Sequence, residues 1–551
     1  MPVAAKNGKT FDVIILGSGI AGSILGSILA RAGVSVLLAD AGVHPRFAVG
    51  ESTIPHTLNV FRMLAERYQV PELEALISFD KGAKEIGPVM GTKLHFGFML
   101  HEEGKEPDPS TAIQVGTEIP HLQTSHLFRQ DTDAYLFHAA VKYGCVARQG
   151  FRAVDVTVDD DHVAVTGHTG ERYAGRYLVD ASGFRSPLAS KLGLRSGPDA
   201  LKHHSRSLFT HMLDVQTTDE CLKDVPSDLR PPLPWVMGTM HHVIERGWFW
   251  VIPFNNEPRS INPLVSVGLT FDERRYPKPT DMTPEEEFYH HVRKYPAIER
   301  IFAGAKTVRP WVSTDRIQYT STRTVGPRWC LMSHAAGFID PLYSRGLTNT
   351  GEVINAAAYR ILEALASDDF SVERFEYVEE LQQGLIRYND ELVNCSFISW
   401  PNYDLWSAVC RVWVAAQMPT SMHFGRAIEK YQRTRDDEIF RELETFPYPG
   451  LPFPGNAEYK KLFDQMVALC EAVDAGERPA GEAGRELMAR LTESPAVVPY
   501  IGLEDPETRF VNASMETFLK MARWLATDGP QDMRYLADNP RFAHLLAGAR
   551  A

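Results

Sequence analysis

Cysteine is scarce and scattered. Six cysteines stand at positions 145, 221, 330, 395, 410 and 470, with no C-x-x-C pair and no Cys/His cluster at metal-ligand spacing. That excludes a disulfide-stapled scaffold and a zinc finger. We read them as reduced, mostly buried thiols, and no metal site is expected. Long apolar runs are missing too: none reaches the roughly 18 residues a membrane span needs. The opening MPVAAKNGKT leads straight towards a strand, with no apolar signal core behind a basic start. The expectation is a cytoplasmic protein with no membrane partner. Positive charge is the smaller share, 57 Lys and Arg against 70 Asp and Glu, for a net charge of -13. No basic run compensates, so nucleic acid, whose phosphates need a basic patch, is not an expected partner. Internal repeats and low-complexity tracts are absent as well. What remains is 551 residues, 44% hydrophobic and 23% charged, an ordinary globular composition with room for roughly two to four domains.

The first element with chemistry in it is local. Phe11 to Leu16 is a short apolar strand, followed by Gly17-Ser18-Gly19-Ile20-Ala21-Gly22, a helical pattern, and a second strand ending in Asp40. Strand, glycines, helix, strand and acid in that order make a βαβ dinucleotide site. Gly17 permits the tight turn, Gly19 lets the backbone approach a pyrophosphate at the helix N-terminus, and Gly22 allows close helix–strand packing. Asp40 is expected to accept a hydrogen bond from the adenosine ribose. The fingerprint alone leaves FAD and NAD both open.

Further on, apolar and polar residues alternate from about 146 to 178, which suggests hairpins, and lead into Asp180-Ala181-Ser182-Gly183. A strand-rich stretch fills about 195 to 305, and another strand is expected at Trp329 to Met332. Beyond about 375 long helical patterns with Pro-rich breaks run to the C-terminus. Within the strand-rich stretch, Gly247-Trp248-Phe249-Trp250-Val251-Ile252-Pro253 fits W-x-W-x-I-P. Tryptophans at i and i+2 of an extended strand point to one face, so Trp248 and Trp250 can form a continuous aromatic wall. A plain sheet core is the alternative for such a pair.

Five motifs now stand in order. After the fingerprint, Pro45-Arg46-Phe47-Ala48-Val49-Gly50-Glu51-Ser52-Thr53-Ile54-Pro55 resembles the P-R-F-x-V-G-E-S segment of FAD-dependent halogenases. Arg129 to Asp133 is similar to their R-x-x-x-D element, and DASGFRSPLA to their D-x-x-G segment. Phe338 to Leu347, FIDPLYSRGL, resembles their F-I-D-P-L-x-S-x-G, and W-x-W-x-I-P completes the set. Segments such as FGFMLHEEGKEPDP and DERRYP extend the likeness to the phenolic, aromatic-polyketide members of the family, including tetracycline-like pathways, over nearly the whole chain.

The resemblance implies an α/β fold: a Rossmann-like FAD-binding domain of the flavin monooxygenase and halogenase type, a mixed β-sheet substrate region and a helical C-terminal domain. The expected boundaries are 1–194 for the FAD domain, 195–305 for the substrate sheet, 306–375 for a return to the FAD domain, and 376–551 for the helical part. It implies that FAD, as FADH2 from a separate flavin reductase, activates O2. Chloride, or bromide, is then oxidised to hypohalous acid, which travels to a lysine facing a polycyclic phenolic substrate. Cofactor contacts are expected from Gly17, Ser18, Gly19, Ile20, Ala21, Gly22, Asp40, Arg46, Ser52, Thr53, Arg129, Asp340 and Leu347. Chloride is assigned to Arg345 and Gly346, and the tunnel wall to Trp248, Trp250, Ile252 and Pro253. Three lysines lie in the expected region, Lys81, Lys84 and Lys93, and Lys93, in a strand-like alternation, best matches the family's lysine-bearing strand.

Two departures matter. Where many members carry Gly-Asp in the second flavin motif, this chain has Ser333-His334. Where tryptophan halogenases carry a glutamate before the serine of D-P-L-E-S, it has Tyr343, which suits a phenol activated by its own oxygen rather than tryptophan. His95, His211, His241, His242 and Glu245 are the possible general bases, none of them singled out. The aromatics of 397 to 406 are read as helix core or as lining of a flat pocket. A flavin-dependent aromatic hydroxylase, or a flavin-binding protein without catalysis, is the alternative to a halogenase.

Overall fold

Two sheets divide the chain, and each organises its own unit. The structure is a computed structural model and describes residues 10–119 and 122–538. The segment read above for a signal (1–9) and the end of the C-terminal helical pattern (539–551) lie outside the described residues.

The first unit comprises residues up to 87, 128–201 and 318–388. Its central strand Thr10–Leu16 pairs in parallel with Val36–Asp40 on one side and Arg172–Asp180 on the other. Val146–Gln149 and Trp329–Leu331 extend the sheet in parallel beyond them. The strand Val36–Asp40 is buried throughout, as expected of a parallel strand covered on both faces. The hairpins expected between 146 and 178 are present: Ala153–Val158, Val163–Gly167 and Arg172–Asp180 run antiparallel. Ile14, Leu37, Leu178, Leu188 and Leu331 form the core.

The second unit comprises 88–127, 202–317 and 389 onwards. Its nine-stranded sheet runs from Lys306–Thr307 through Ser205–Leu213, Val265–Asp272, Gly247–Pro253, Thr239–Ile244, His95–Leu100 and Ile113–Thr117 to Phe510–Ala513, with Val312–Ser313 paired to Ser205–Leu213 off this path. It is mixed: Thr239–Ile244 pairs with His95–Leu100 in parallel, and so does Phe510–Ala513 with Ile113–Thr117, while the remaining neighbours along that path run antiparallel. One face holds Phe249, Val267, Leu269 and Phe271 against Phe288 and Ile298 of the helices Pro284–Val292 and Pro296–Phe302.

This division differs from the boundaries expected above. Residues 88–127 group with the second unit because His95–Leu100 pairs with Thr239–Ile244. The C-terminal helices do not form a unit of their own. Phe510–Ala513 is an edge strand of the same sheet, and Trp406 and Trp413 of helix Tyr403–Ala415 lie on Phe98. The division at 388/389 falls inside the helix Glu376–Ser399, where an unbroken helical pattern carries no boundary signal.

Candidate functional site

In the first unit the glycine fingerprint builds a cradle. Gly17 has φ +96°, and a Cβ there would stand 2.5 Å from the Ala181 carbonyl oxygen. At Gly22 a Cβ would stand 1.8 Å from the Gly17 carbonyl oxygen, so glycine is what lets helix Ile20–Arg31 start against the strand. Gly19 is different: its Cβ direction is open, with Asp133 and Arg46 side-chain atoms 3.8 and 3.9 Å away. The helix has no side-chain cap and no acid in its first turn. Its leading N–H groups and positive dipole end therefore suit a pyrophosphate.

A cavity of about 610 Å³ opens over this turn. Of the expected cofactor residues, Gly17, Gly19, Ile20, Ala21, Asp40, Arg46, Arg129 and Leu347 line it, and Ser333 and His334 line it too. Asp40 accepts hydrogen bonds from the Ser18 N–H (2.6 Å), the Ser18 hydroxyl (3.0 Å) and the Gly42 N–H (2.7 Å), and pairs with Arg46 at 2.9 Å. Burial opposes its charge, but Arg46 and these hydrogen bonds prevail and hold the carboxyl below its ordinary range. Arg129 grips Asp133 with two bonds, 2.7 and 3.0 Å, and donates to the carbonyls of Val49 (2.6 Å) and Gly50 (3.0 Å). One guanidinium thus pins the P-R-F-x-V-G-E-S loop to helix Arg129–Tyr143.

The departure at Ser333-His334 falls on the cavity wall. The Ser333 N–H donates to Gln382 Oε1 at 3.0 Å, and its hydroxyl bonds that of Thr350. His334 presents its ring to the cavity with protein packed behind it. Desolvation, then the nearby Arg129, push its pKa to about 4, so it meets a ligand as a neutral imidazole, able to donate or accept. Glycine cradle, unspent helix N-terminus, carboxylate and neutral wall fit a dinucleotide.

Other expected residues stand outside the cavity lining. Ser18 is fully buried behind the turn. Ser52 accepts from the Ser344 hydroxyl at 3.0 Å, Thr53 is buried, and Asp340 accepts from the Leu342 N–H at 3.0 Å. Arg345 precedes helix Gly346–Ser367, is 5% exposed, and lies 4.8 Å over the Tyr388 ring. Its Nε and Nη2 have no hydrogen-bond acceptor among the described residues, an arrangement that can receive an anion. Glu352, further along the same helix and 15% exposed, is held up at about 7 by burial, against the pull of Arg345. His56 Nε2 lies 3.4 Å from its Oε1.

Burial separates the three candidate lysines, and only Lys93 belongs to the second unit. Lys93 is 2% exposed, while Lys81 pairs with Glu74 and Lys84 with Glu85 on the surface of the first unit. Lys93 ends the short strand Gly91–Lys93, which pairs with Thr124–His126, and its Nζ lies 3.5 Å from the centroid of Phe96. Burial brings the amine's pKa well below its ordinary value, and the π-face of Phe96 is a favourable neighbour when it is charged.

The tryptophans share a face, as the alternation requires, with ring centroids 5.6 Å apart. His241 lies 5.0 Å from Trp248 and 4.5 Å from Phe98, so Phe96, Phe98, His241, Trp248 and Trp250 form one aromatic face. Gly268 makes room for it: a Cβ there would stand 2.2 Å from the Trp250 ring. Ile252 and Pro253 continue the same buried strand. Among the possible bases, Glu245 is exposed and pairs with Arg275. Burial, first of all, holds His95 and His242 down at about 4. Trp406 is fully buried 5.2 Å from Phe98, the helix-core reading of the C-terminal aromatics.

One residue of this centre escaped the sequence reading. His126 is fully buried opposite Gly91, with its Nδ1 2.8 Å from the Pro253 carbonyl and its Nε2 3.0 Å from the Thr239 hydroxyl. It lies three residues before Arg129 in a segment with no motif of its own.

Comparison with known proteins completes the identification. Residues 10–351 match the family described as FAD binding domain, so the cradle is that of an FAD flavoprotein. Tetracycline 7-halogenase of Kitasatospora aureofaciens is 52% identical over 530 residues, 96% of this chain and 95% of that protein. Monodechloroaminopyrrolnitrin halogenase PrnC of Pseudomonas fluorescens is 42% identical, over 99% of this chain and 97% of the relative. The crystal structure of halogenase PltM with phloroglucinol and FAD superposes with a TM-score of 0.88 at 35% identity, covering 91% of this chain and 100% of that one. The chain belongs to the flavin-dependent halogenases. It is an FADH2-dependent enzyme that acts with a halide on a small-molecule substrate.

Proposed function

We propose that this halogenase chlorinates an electron-rich phenolic ring of a polycyclic aromatic polyketide, with Lys93 carrying the halogen. The observation that carries the reading is the burial of Lys93, 2% exposed beneath an aromatic face, where Lys81 and Lys84 are spent in surface pairs. The substrate class is supported by the likeness to tetracycline 7-halogenase and by the phenol phloroglucinol in the PltM structure. Tyr343 stands where tryptophan halogenases place a glutamate, which favours a substrate activated by its own phenolate.

In this reading Gly17, Gly19, Ile20 and Ala21 hold the FAD pyrophosphate at the helix N-terminus. Ser18 and Gly22 shape that turn, Asp40 and Arg46 serve the adenosine side, and Arg129 and Leu347 bound the cavity. Ser52, Thr53 and Asp340 brace the motif loops. When bound, reduced FAD supplies the electrons with which O2 becomes the oxidant that turns chloride into hypochlorous acid. Arg345 and Gly346 hold the halide, the guanidinium adding charge to the helix N-terminus. At Lys93 the neutral amine takes chlorine from hypochlorous acid, forming an N–Cl bond and releasing water. The ring then attacks chlorine, the N–Cl electron pair stays on nitrogen, and the ring proton completes the amine. The low pKa of Lys93 makes the neutral form accessible. Trp248, Trp250, Ile252 and Pro253 wall the space. A separate flavin reductase delivers FADH2.

The test is incubation with a flavin reductase, NADH, FAD and chloride against a panel of polycyclic phenols, read by mass and isotope pattern. A chloride-dependent chlorinated product is expected. A product heavier by one oxygen, formed without halide, would make the enzyme a hydroxylase instead. Lys93→Ala is expected to lose at least about 100-fold in chlorination with flavin binding retained. Undiminished chlorination by that variant would remove Lys93 from the mechanism.

A further inference from the structure

We propose that His126 is a positioning residue for Lys93, acting as a strut between the lysine-bearing ribbon and the Pro253 end of the W-x-W-x-I-P strand. The inference rests on the reading of Lys93 as halogen carrier.

The register supplies the geometry. Gly91 faces His126 and Lys93 faces Thr124 in the two-stranded ribbon. Residues two apart on a strand share a face, so Lys93 and His126 are diagonal neighbours on one side of it. The ribbon is short, three residues on each strand, and a two-stranded ribbon of that length does not hold its place by ladder bonds alone. Contacts beyond the ladder fix it: Asn256 accepts from the Thr92 N–H at 2.9 Å and donates to the Thr92 carbonyl at 2.7 Å, and the opposite strand is held on the strand Gly247–Pro253. A Cβ at Gly91 would stand 2.2 Å from the Pro253 carbonyl oxygen, so the two backbones are in direct contact there. His126 spans the same point.

A carbonyl oxygen only accepts, so the 2.8 Å contact to Pro253 places the ring proton on Nδ1. Nε2 is then the acceptor, and the Thr239 hydroxyl donates to it at 3.0 Å. Both ring nitrogens are spent, the tautomer is fixed, and two strands of the large sheet are tied to the ribbon through one imidazole. The ring is held neutral at about 3, first by burial and then by the charge of Lys93, so it adds no positive charge beside the amine. Lys93 lies close enough to be felt by His126 and His95 alike. Displacement of the ribbon moves Nζ relative to the aromatic face, and an error near 1 Å at a reacting atom costs on the order of 100-fold in rate.

Such a strut predicts leakage rather than simple loss. Hypohalous acid that finds the amine misplaced escapes, and the ratio of chlorinated product to hypochlorous acid trapped in solution falls. His126→Asn keeps a donor near the Nδ1 position, facing Pro253, and His126→Gln keeps a polar group near Nε2 only. Both are polar and no larger than the imidazole. His126→Asn is expected to hold the product-to-trapped ratio within about twofold of wild type, and His126→Gln to lower it at least about fivefold. Lys93→Ala is run in parallel and is expected to give trapped oxidant with no product. A wild-type ratio in His126→Gln, or an equal fall in both variants, overturns the strut while Lys93→Ala remains inactive. Full chlorination by Lys93→Ala overturns the lysine reading itself, and the strut with it.

Discussion

Burying an amine is costly unless it sheds its proton, and Lys93 is buried almost completely. Desolvation depresses its pKa, and the neutral amine is the form that can accept an electrophile. Glu352 shows the same physics with the opposite sign. Burial raises its pKa to about 7 against the attraction of Arg345, so the folded protein holds a proton that the unfolded chain releases near the ordinary carboxyl value of about 4.3. Between those values the folded state binds more protons, and stability falls as pH rises through the window, the loss being complete above about 7. Glu352→Gln cannot ionise and is expected to be the more stable protein at pH 8, by on the order of 3–4 kcal/mol, with the difference vanishing near pH 4. Denaturant unfolding at both pH values checks this. Equal stability at pH 8 would mean that Glu352 is ionised and paired in the folded state.

At the scale of elements, the sites are held by contacts between segments far apart in sequence. In the second unit, Arg206 on strand Ser205–Leu213 and Glu287 on helix Pro284–Val292 form an ion pair that is 2% and 5% exposed. Arg206 also donates to the Tyr276 carbonyl at 2.8 Å and lies 4.1 Å over Phe271. Removing one partner strands a buried charge, so Glu287→Ala is expected to destabilise the protein by about 3–5 kcal/mol. The shift of the denaturation midpoint measures it, and a loss below about 1 kcal/mol would mean that water reaches the pair. The strand pairing that makes the aromatic face was legible as alternation: Trp248 and Trp250 had to share a face once the segment was a strand. Its partners were not. Phe96, Phe98 and His241 come from strands whose pairing no local pattern states, and Gly268 looks like any strand glycine until the Trp250 ring lies against it.

For the whole molecule, cofactor binding and stability are linked. FAD that binds the folded state stabilises it by about 2.7 kcal/mol at a hundredfold excess over Kd, so thermal unfolding is expected to shift upward with added FAD. In Gly22→Ala the new Cβ meets the Gly17 carbonyl, and both that shift and at least about tenfold of the FAD affinity are expected to be lost. A normal shift in the variant would mean that the turn relaxes around the methyl group. The sequence by itself determined the nucleotide cradle, because strand, glycines, helix and acid are contiguous and their φ and packing demands are local. It also determined the halogenase family, through ordered motifs from Gly17 to Leu347. The tertiary structure alone decided which of three lysines is buried, that residues 88–127 and the C-terminal helices join the large sheet, and that Ser52 and Asp340 brace loops outside the cavity lining. It alone put His126 beside Lys93. Burial and cross-strand partnership join segments that are not neighbours in sequence, and no local spacing encodes them.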